Sequence, residues 1–309
     1  MAELHIPVLL NEVINGLNIK KNGTYLDLTL GRGGHSRKIL ENLGDKGQLI
    51  SLDQDQEAID YVKNTLGLEY PNLTIVKSNF KDVDNVLKNL NILDIDGVML
   101  DLGVSSPQFD EGERGFSYKA DAPLDMRMDK SSVLTAEEIV NTYSISDLTR
   151  VIRDYGEDKF AYQITKNIIK HRDVAPIKTT GELVEIIKES KPDKELRKKG
   201  HPAKQTFQAL RIEVNNELNV LSIVLNKLSK LIKKAGRICV ITFQPLEDKI
   251  VKEKFKELCV VEGDRMNFNI NDKVATFKQV SKKPITPNEE EIATNNRSRT
   301  AKLRIIEKI

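Results

Sequence analysis

Asp27-Leu-Thr-Leu-Gly-Arg-Gly-Gly-His-Ser36 is the stretch that decides how this chain folds. It follows the apolar run Thr24-Tyr-Leu26 and precedes the helix-like run Ser36-Arg-Lys-Ile-Leu-Glu-Asn-Leu43. A strand that ends in an acid and then breaks into Gly31, Gly33 and Gly34 is more than a chain reversal. Glycine tolerates positive φ and has no side chain, so backbone can approach a ligand closely. The helix behind it would aim its unpaired N–H groups at that ligand. The plainer alternative is a tight βα turn in some α/β protein.

Working outward, the first hundred residues alternate in character. Strand-like runs lie at Thr24–Leu30, Gln48–Asp53, Leu73–Val76 and Gly97–Leu102, with helix-like runs at Ser36–Leu43, Gln56–Leu66 and Val83–Leu90. The alternation predicts βαβ units, a parallel sheet covered on both faces, and right-handed crossovers. Between Ser105 and about Lys204 no convincing strand follows. Helices are expected there instead: Asp147–Tyr155 capped by Ser146, Glu157–Arg172, and Glu182–Glu189 capped by Thr180. A long helix is predicted over Ala203–Lys234, because Phe207, Val214, Leu221 and Leu228 recur every seven residues and Gly236 can end it. Strands return at Arg237–Phe243, Leu258–Val261 and Ala275–Val280, while Ala301–Ile306 reads as strand or helix. The expected fold class is α/β. A Rossmann-like sheet domain, 1–105 with 206–309, is interrupted by an all-helical domain over 106–205.

Composition narrows the classes of function. The 309 residues are 39% hydrophobic and 30% charged, as in soluble globular proteins. No apolar stretch approaches the roughly 18–20 residues that cross a bilayer. The N-terminus lacks a basic region followed by an apolar one, so no signal peptide is expected and the cytoplasm is the default location. Cys239 and Cys259 lack metal-ligand spacing, and Cys239 sits in an apolar run as a core residue would. His5, His35, His171 and His201 form no metal pattern, so no catalytic metal is expected. A net charge of +2 is too small to declare a nucleic-acid partner; that must rest on local clusters.

Ligands of open parallel sheets bind at the carboxyl ends of the strands. Four strand ends here carry suggestive residues: the glycine loop, Asp53, Ser78-Asn-Phe80, and Asp101. A carboxylate at Asp53 suits the two hydroxyls of a ribose, and Phe80 could stack on an adenine. The cofactor could be a nicotinamide dinucleotide or S-adenosylmethionine. A dinucleotide fingerprint wants a third glycine where Ser36 stands. Asp27 would repel a pyrophosphate, but it can order the loop or reach a cationic amine. The loop therefore favours S-adenosylmethionine.

The chain resembles the bacterial 16S ribosomal RNA (cytosine-N4)-methyltransferases, the RsmH (formerly MraW) family, nearly end to end. The strings that carry the likeness include His5-Ile-Pro-Val-Leu-Leu-Asn-Glu-Val13, Gly31-Arg-Gly-Gly-His-Ser36 and Asp101-Leu-Gly-Val-Ser-Ser-Pro-Gln108. Arg114-Gly-Phe-Ser117, Pro123-Leu-Asp-Met-Arg-Met-Asp129, Tyr155-Gly-Glu-Asp158 and His201-Pro-Ala-Lys204 belong with them. So do Phe207-Gln-Ala-Leu-Arg-Ile-Glu-Val-Asn215 and Asn296-Arg-Ser-Arg-Thr-Ala-Lys-Leu-Arg304. The resemblance implies methyl transfer from S-adenosylmethionine to N4 of a cytidine (position 1402 of that RNA) in the decoding centre, on the assembled small subunit. It implies that Gly33, Gly34, His35, Asp53, Phe80, Asp101 and Gln108 line the cofactor. One departure stands out: the family usually has Ser-Phe-His-Ser-Leu-Glu-Asp where this chain has Thr242-Phe-Gln-Pro-Leu-Glu-Asp248. A role carried by that histidine is in doubt here, since the glutamine is no base.

The amine of cytosine is a weak nucleophile because its lone pair is delocalised into the ring. Ser106-Pro107-Gln108-Phe109 is similar to the amine-accepting motif of amino-methyltransferases, with Gln108 in place of its second proline. Ser106 and Pro107 are the catalytic candidates, through a hydroxyl and an unpaired carbonyl, and Phe109 could stack on a flipped base. Arg114 and Arg127 could fork onto phosphates of the substrate. Lys191–Arg211 holds seven Lys or Arg against two acids, a balance of +5, with His201, Lys204 and Arg211 as candidate RNA contacts. Arg297, Arg299, Lys302, Arg304 and Lys308 against Glu307 form a second basic run. Three alternatives remain at this point: an amino-methyltransferase acting on DNA, a non-catalytic assembly factor that holds ribosomal RNA, and, more distantly, a nicotinamide oxidoreductase.

Overall fold

The computed structural model describes residues 6–105, 108–109, 112–259 and 275–309. The chain forms two compact units, Met1–Gly103 with Leu218–Ile309, and Val104–Glu217. His5, Ser106 and Pro107 lie outside the described residues, as does Val260–Val261 of the strand expected over 258–261.

The first unit is built on a seven-stranded sheet. Its strands are β1 (Thr24–Asp27), β2 (Gln48–Asp53), β3 (Leu73–Lys77), β4 (Ile95–Asp101), β5 (Ile232–Thr242), β6 (Phe277–Gln279) and β7 (Lys302–Lys308), in the order β3-β2-β1-β4-β5-β7-β6. The neighbours from β3 through β5 are parallel, and β7 runs antiparallel to β5 and β6. Side chains alternate between two covering layers, as the period of a strand demands. Leu26, Ile50, Val98, Leu100, Ile238 and Val240 pack with the helices Val83–Asn89, Glu217–Leu231 and Pro245–Cys259. Tyr25, Leu49, Met99, Cys239 and Ile241 pack with α1 (Leu10–Leu17) and α2 (Gly34–Asn42). The doubly covered parallel sheet expected from the alternation is therefore present.

The second unit is helical, with helices over Ala136–Thr142, Ile145–Gly156, Ala161–Arg172, Thr180–Glu189, Asp193–Leu196 and Lys204–Asn215. Its own core gathers Ile139, Ile152, Ile164, Leu183, Phe207 and Leu210, among others. The caps fall one or two residues before the expected ones. Ser144 accepts from the Asp147 N–H, and Thr179 forms a capping box with Glu182, the Thr-x-x-Glu spacing that position 180 cannot offer.

Four expectations need correction. The long helix over 203–234 is two helices, Lys204–Asn215 and Glu217–Leu231, broken at Asn216, whose φ of 50° is left-handed. Phe207, Leu210 and Val214 serve the helical core, while Leu221, Leu225 and Leu228 serve the sheet core. The seven-residue repeat therefore records two different burials, and the helical unit extends to Glu217 rather than ending at 205. Gly236 caps no helix: it lies within β5, where the register against β4 shifts between Ile95 and Gly97. Leu258 and Cys259, expected in a strand, end the helix that begins at Pro245.

Candidate active site

The glycine loop leaves β1 and turns into α2. Gly31 and Gly33 adopt φ of 50° and 78°. A Cβ on Gly33 would stand 2.5 Å from Leu66 Cδ1, and one on Gly34 would collide with Pro7. Both backbone conformation and close packing therefore require glycine in this loop. Asp27 ties it together from below. Its Oδ1 accepts the Thr29 N–H at 3.1 Å and its Oδ2 the Ser36 hydroxyl at 2.7 Å, and Ser36 Oγ lies 2.9 Å from Ser51 Oγ on β2. Asp27 is 1% exposed, so it orders the loop, one of the two roles expected of it, rather than facing a ligand. Burial pushes its carboxyl up to about 6, against the pull of the Ser36 and Thr29 hydrogen bonds.

Asp53 closes β2 and clamps the same loop. Its Oδ2 accepts the Gly31 N–H and its Oδ1 the Asp55 N–H, each at 2.9 Å. The helix that follows is capped by Asp55, which accepts from Glu57 N. Each oxygen of Asp53 keeps a further lone pair, which suits a ribose diol. Burial raises this carboxyl to about 6 as well, with the Asp55 and Gly31 N–H groups opposing the rise. At the end of β3, Phe80 opens the 3-10 turn Phe80–Asp82, half-buried against the sheet core rather than projecting from it.

His35 and Asp101 meet beside the loop. His35 is buried, and its Nε2 lies 3.0 Å from the Val8 carbonyl. A carbonyl only accepts, so Nε2 carries a hydrogen and donates it, with Nδ1 on the other side of the ring. That Nδ1 lies 3.9 Å from Asp101 Oδ2. The Asp101 N–H is held by Thr29 Oγ1 at 2.7 Å, which joins the ends of β1 and β4. Burial pushes Asp101 up to about 8, and the nearby Asp27 and Glu247 carboxylates add to the rise. Its Oδ1 is shut from solvent and has no hydrogen-bond partner among the described residues.

The end of β5 contributes a feature that residue types alone did not reveal. Gln244 precedes Pro245, the first residue of the helix Pro245–Cys259, a position where proline loses nothing. Glu247, buried, reaches back from the first turn. Its Oε2 accepts from Phe243 N at 2.9 Å and Gln244 N at 3.3 Å, and its Oε1 accepts from Gln244 Nε2 at 3.0 Å. A glutamate two residues after a proline at the helix start was the available signal.

The helical unit holds the other candidates. Gln108 is buried and its Oε1 accepts the Ser105 N–H at 3.0 Å. Phe109 packs against the helical core. Arg114 is buried and donates to the Arg127 and Met128 carbonyls at 3.0 and 3.2 Å. Arg127 forks onto Asp125 at 2.8 and 2.7 Å and reaches the Lys130 and Ser132 carbonyls. Arg211 forks onto Glu217 at 2.8 and 3.0 Å. For these three arginines the expectation of side chains held out to phosphate is corrected: each holds its own unit together. His201 stacks on Tyr118 at 4.3 Å, and Tyr118 meets Phe207 edge-on. Lys191, counted in the basic run, is buried against Asp158 at 2.6 Å. Exposed cations in that run are Lys194, Arg197, Lys198, Lys199 and Lys204. In the tail, Lys302 and Arg304 both pair with Asp248.

These strand ends fit S-adenosylmethionine. Asp101 offers an unpaired acceptor, Asp53 a carboxylate with spare lone pairs, and the carboxylates of Asp27, Asp53, Asp101 and Glu247 favour a cationic ligand over a diphosphate. Among the described residues no cluster of three or more potential metal ligands occurs, and no helix is long and apolar enough to cross a membrane.

The profile of the MraW methylase family matches residues 2–309. A protein of Streptococcus dysgalactiae subsp. equisimilis named ribosomal RNA small subunit methyltransferase H is 50% identical over 99% of this chain and 98% of its own length. A protein of the same name from Clostridioides difficile is 49% identical over 99% of each chain. One from Streptococcus pyogenes is 50% identical over 99% of this chain and 98% of its own. The chain belongs to the MraW methylase family, and it is a methyltransferase that uses S-adenosylmethionine.

Proposed function

We propose that the protein methylates N4 of the decoding-centre cytidine of 16S ribosomal RNA, in the cytoplasm and on the assembled small subunit. The relatives' name supports the ribosomal substrate. The observation at the site that supports amine chemistry is the pair of buried acceptors past β4 and β5, Asp101 Oδ1 and Gln244 Oε1, neither with a hydrogen-bond partner among the described residues. Bound, S-adenosylmethionine supplies a methyl on a sulfonium, which leaves as a neutral thioether when a nitrogen lone pair attacks; the new amine then sheds one proton.

The chain's own residues bind and align. Asp53 takes ribose hydroxyls while it holds Gly31, and Phe80 offers an aromatic face for the adenine. Asp101 accepts from the positively charged end of the cofactor, steadied by Thr29 and faced by His35. Gln108 completes the cofactor set, and Ser106 and Pro107 accept from the incoming amine. Because the leaving group is good, alignment is the main demand, and no strong base is needed. The unit Val104–Glu217 recognises the RNA, through the exposed cations at 194–204 and the His201–Tyr118 stack.

The test is to incubate the protein with methyl-labelled S-adenosylmethionine and, separately, assembled small subunits, naked ribosomal RNA and DNA. Label on the subunit alone is expected. Label on DNA would make it a DNA amino-methyltransferase, and cofactor binding with no label anywhere would make it an RNA-holding assembly factor.

A further inference from the structure

β4 and β5 leave the sheet side by side. Asp101 pairs with Ile241, the Leu102 N–H reaches the Ile241 carbonyl at 3.1 Å, and a Cβ on Gly103 would lie 3.8 Å from the Phe243 ring. In the strand order β1 lies on one side of β4 and β5 on the other. The glycine loop, Asp53 and Phe80 therefore belong to the β1–β3 flank of Asp101, and Gln244, just past β5, belongs to the opposite flank.

Gln244 is 7% exposed. Its Nε2 is fixed by Glu247 at 3.0 Å, which determines that the other end of the amide, Oε1, points away from that carboxylate. Oε1 is shut from solvent and has no hydrogen-bond partner among the described residues. Leaving a buried acceptor unpaired forfeits the hydrogen bond that water would have given it. A serine or aspartate would cap this helix without that cost. An acceptor held in this way, just past the strand whose Ile241 pairs with Asp101, awaits a donor that arrives with a ligand.

We infer that Gln244 binds the methyl acceptor: its Oε1 takes one N–H of the exocyclic amine that is methylated. The inference rests on the amine-acceptor reading above and adds to it a residue on the β5 side of the sheet unit. A hydrogen bond from that N–H draws charge onto the nitrogen and fixes the direction of its lone pair. An amide oxygen accepts the bond but keeps no proton, so Gln244 orients the amine without changing its own charge.

The test uses the full chain. Gln244→Met keeps the length and loses the acceptor, whereas Gln244→His keeps a donor towards Glu247 and an acceptor nitrogen. Gln244→Met should lower kcat on small subunits about tenfold or more, the loss of one such bond. The dissociation constant for S-adenosylmethionine, measured by equilibrium dialysis, should stay within about twofold, and Gln244→His should recover most of kcat. Turnover by Gln244→Met equal to wild type overturns the inference. So does a loss of cofactor affinity as large as the loss of turnover, which would make Gln244 a prop for Asp101. If Gln244→Met shows no melting transition, Gln244→Asn, which draws the oxygen back by one bond length, carries the same expectations and the same contradictions. Failure of the wild type to label any subunit would instead sink the amine reading itself.

Discussion

At the residue scale, Asp27, Asp53 and Asp101 crowd three carboxylates around one loop, and protonation of Asp53 and Asp101 is expected to couple cofactor binding to pH. Burial holds the first two at about 6 and Asp101 at about 8. These values lie above those of the unfolded chain, so the folded protein binds protons that the unfolded chain releases. The resulting stability is full below about 4, where the unfolded carboxylates are also protonated, and is lost as pH rises, fully by about 6 for Asp27 and Asp53 and by about 8 for Asp101. The Tm of the free protein should therefore fall across that window. A bound cation favours the ionised acids, so affinity for S-adenosylmethionine should rise with pH, by up to about tenfold per unit below about 8, and level off above. Equilibrium dialysis from pH 6 to 9 measures it; a flat profile would mean that Asp101 does not face positive charge. Asp53→Ala should weaken the cofactor about 10- to 100-fold, because the ribose partner and the clamp on Gly31 go together. The sequence pointed to these acids through their places at strand ends. Thr29, Ser51 and Glu247 escaped notice because their roles come from contacts between strands that no local pattern records.

At the scale of the element, Asn216 is the most instructive position. The apolar repeat runs through it without interruption, so spacing alone predicts one helix over 203–234. What divides it is a single left-handed residue, and asparagine is among the few non-glycine residues that visit that region readily. Asn216→Gly should leave Tm unchanged or raise it, whereas Asn216→Val should cost about 1–2 kcal/mol, read from denaturant unfolding. The βαβ half was legible because each strand there is a short apolar run ending in polar residues. The end of the helix Pro245–Cys259 was not, because Leu258 and Cys259 suit a strand as well as a helix and the difference is made by the packing of Val251 and Phe255 on the sheet.

At the scale of the molecule, the proposed cofactor residues Asp53, Phe80 and Asp101 lie in the sheet unit, whereas Gln108 and the exposed cations at 194–204 lie in the helical unit. Replacing Arg197, Lys198 and Lys199 with glutamine should weaken binding to ribosomal RNA and reduce the slope of log affinity against log salt by about 2–3, while S-adenosylmethionine binding stays unchanged. Equal losses in both would count against that division. Charge counting along the sequence overstated this surface. Lys191 and Arg211 belong to ion pairs within the unit, and partners such as Asp158, distant in sequence, become visible only once the chain is folded. Everything proposed for the site turns on which atom receives the methyl group. This is tested most directly by digesting subunit RNA labelled by this enzyme to nucleosides and separating them. All label is predicted in N4-methylcytidine from the decoding centre, and label in 5-methylcytidine, in a ribose-methylated nucleoside or in any other base would contradict it.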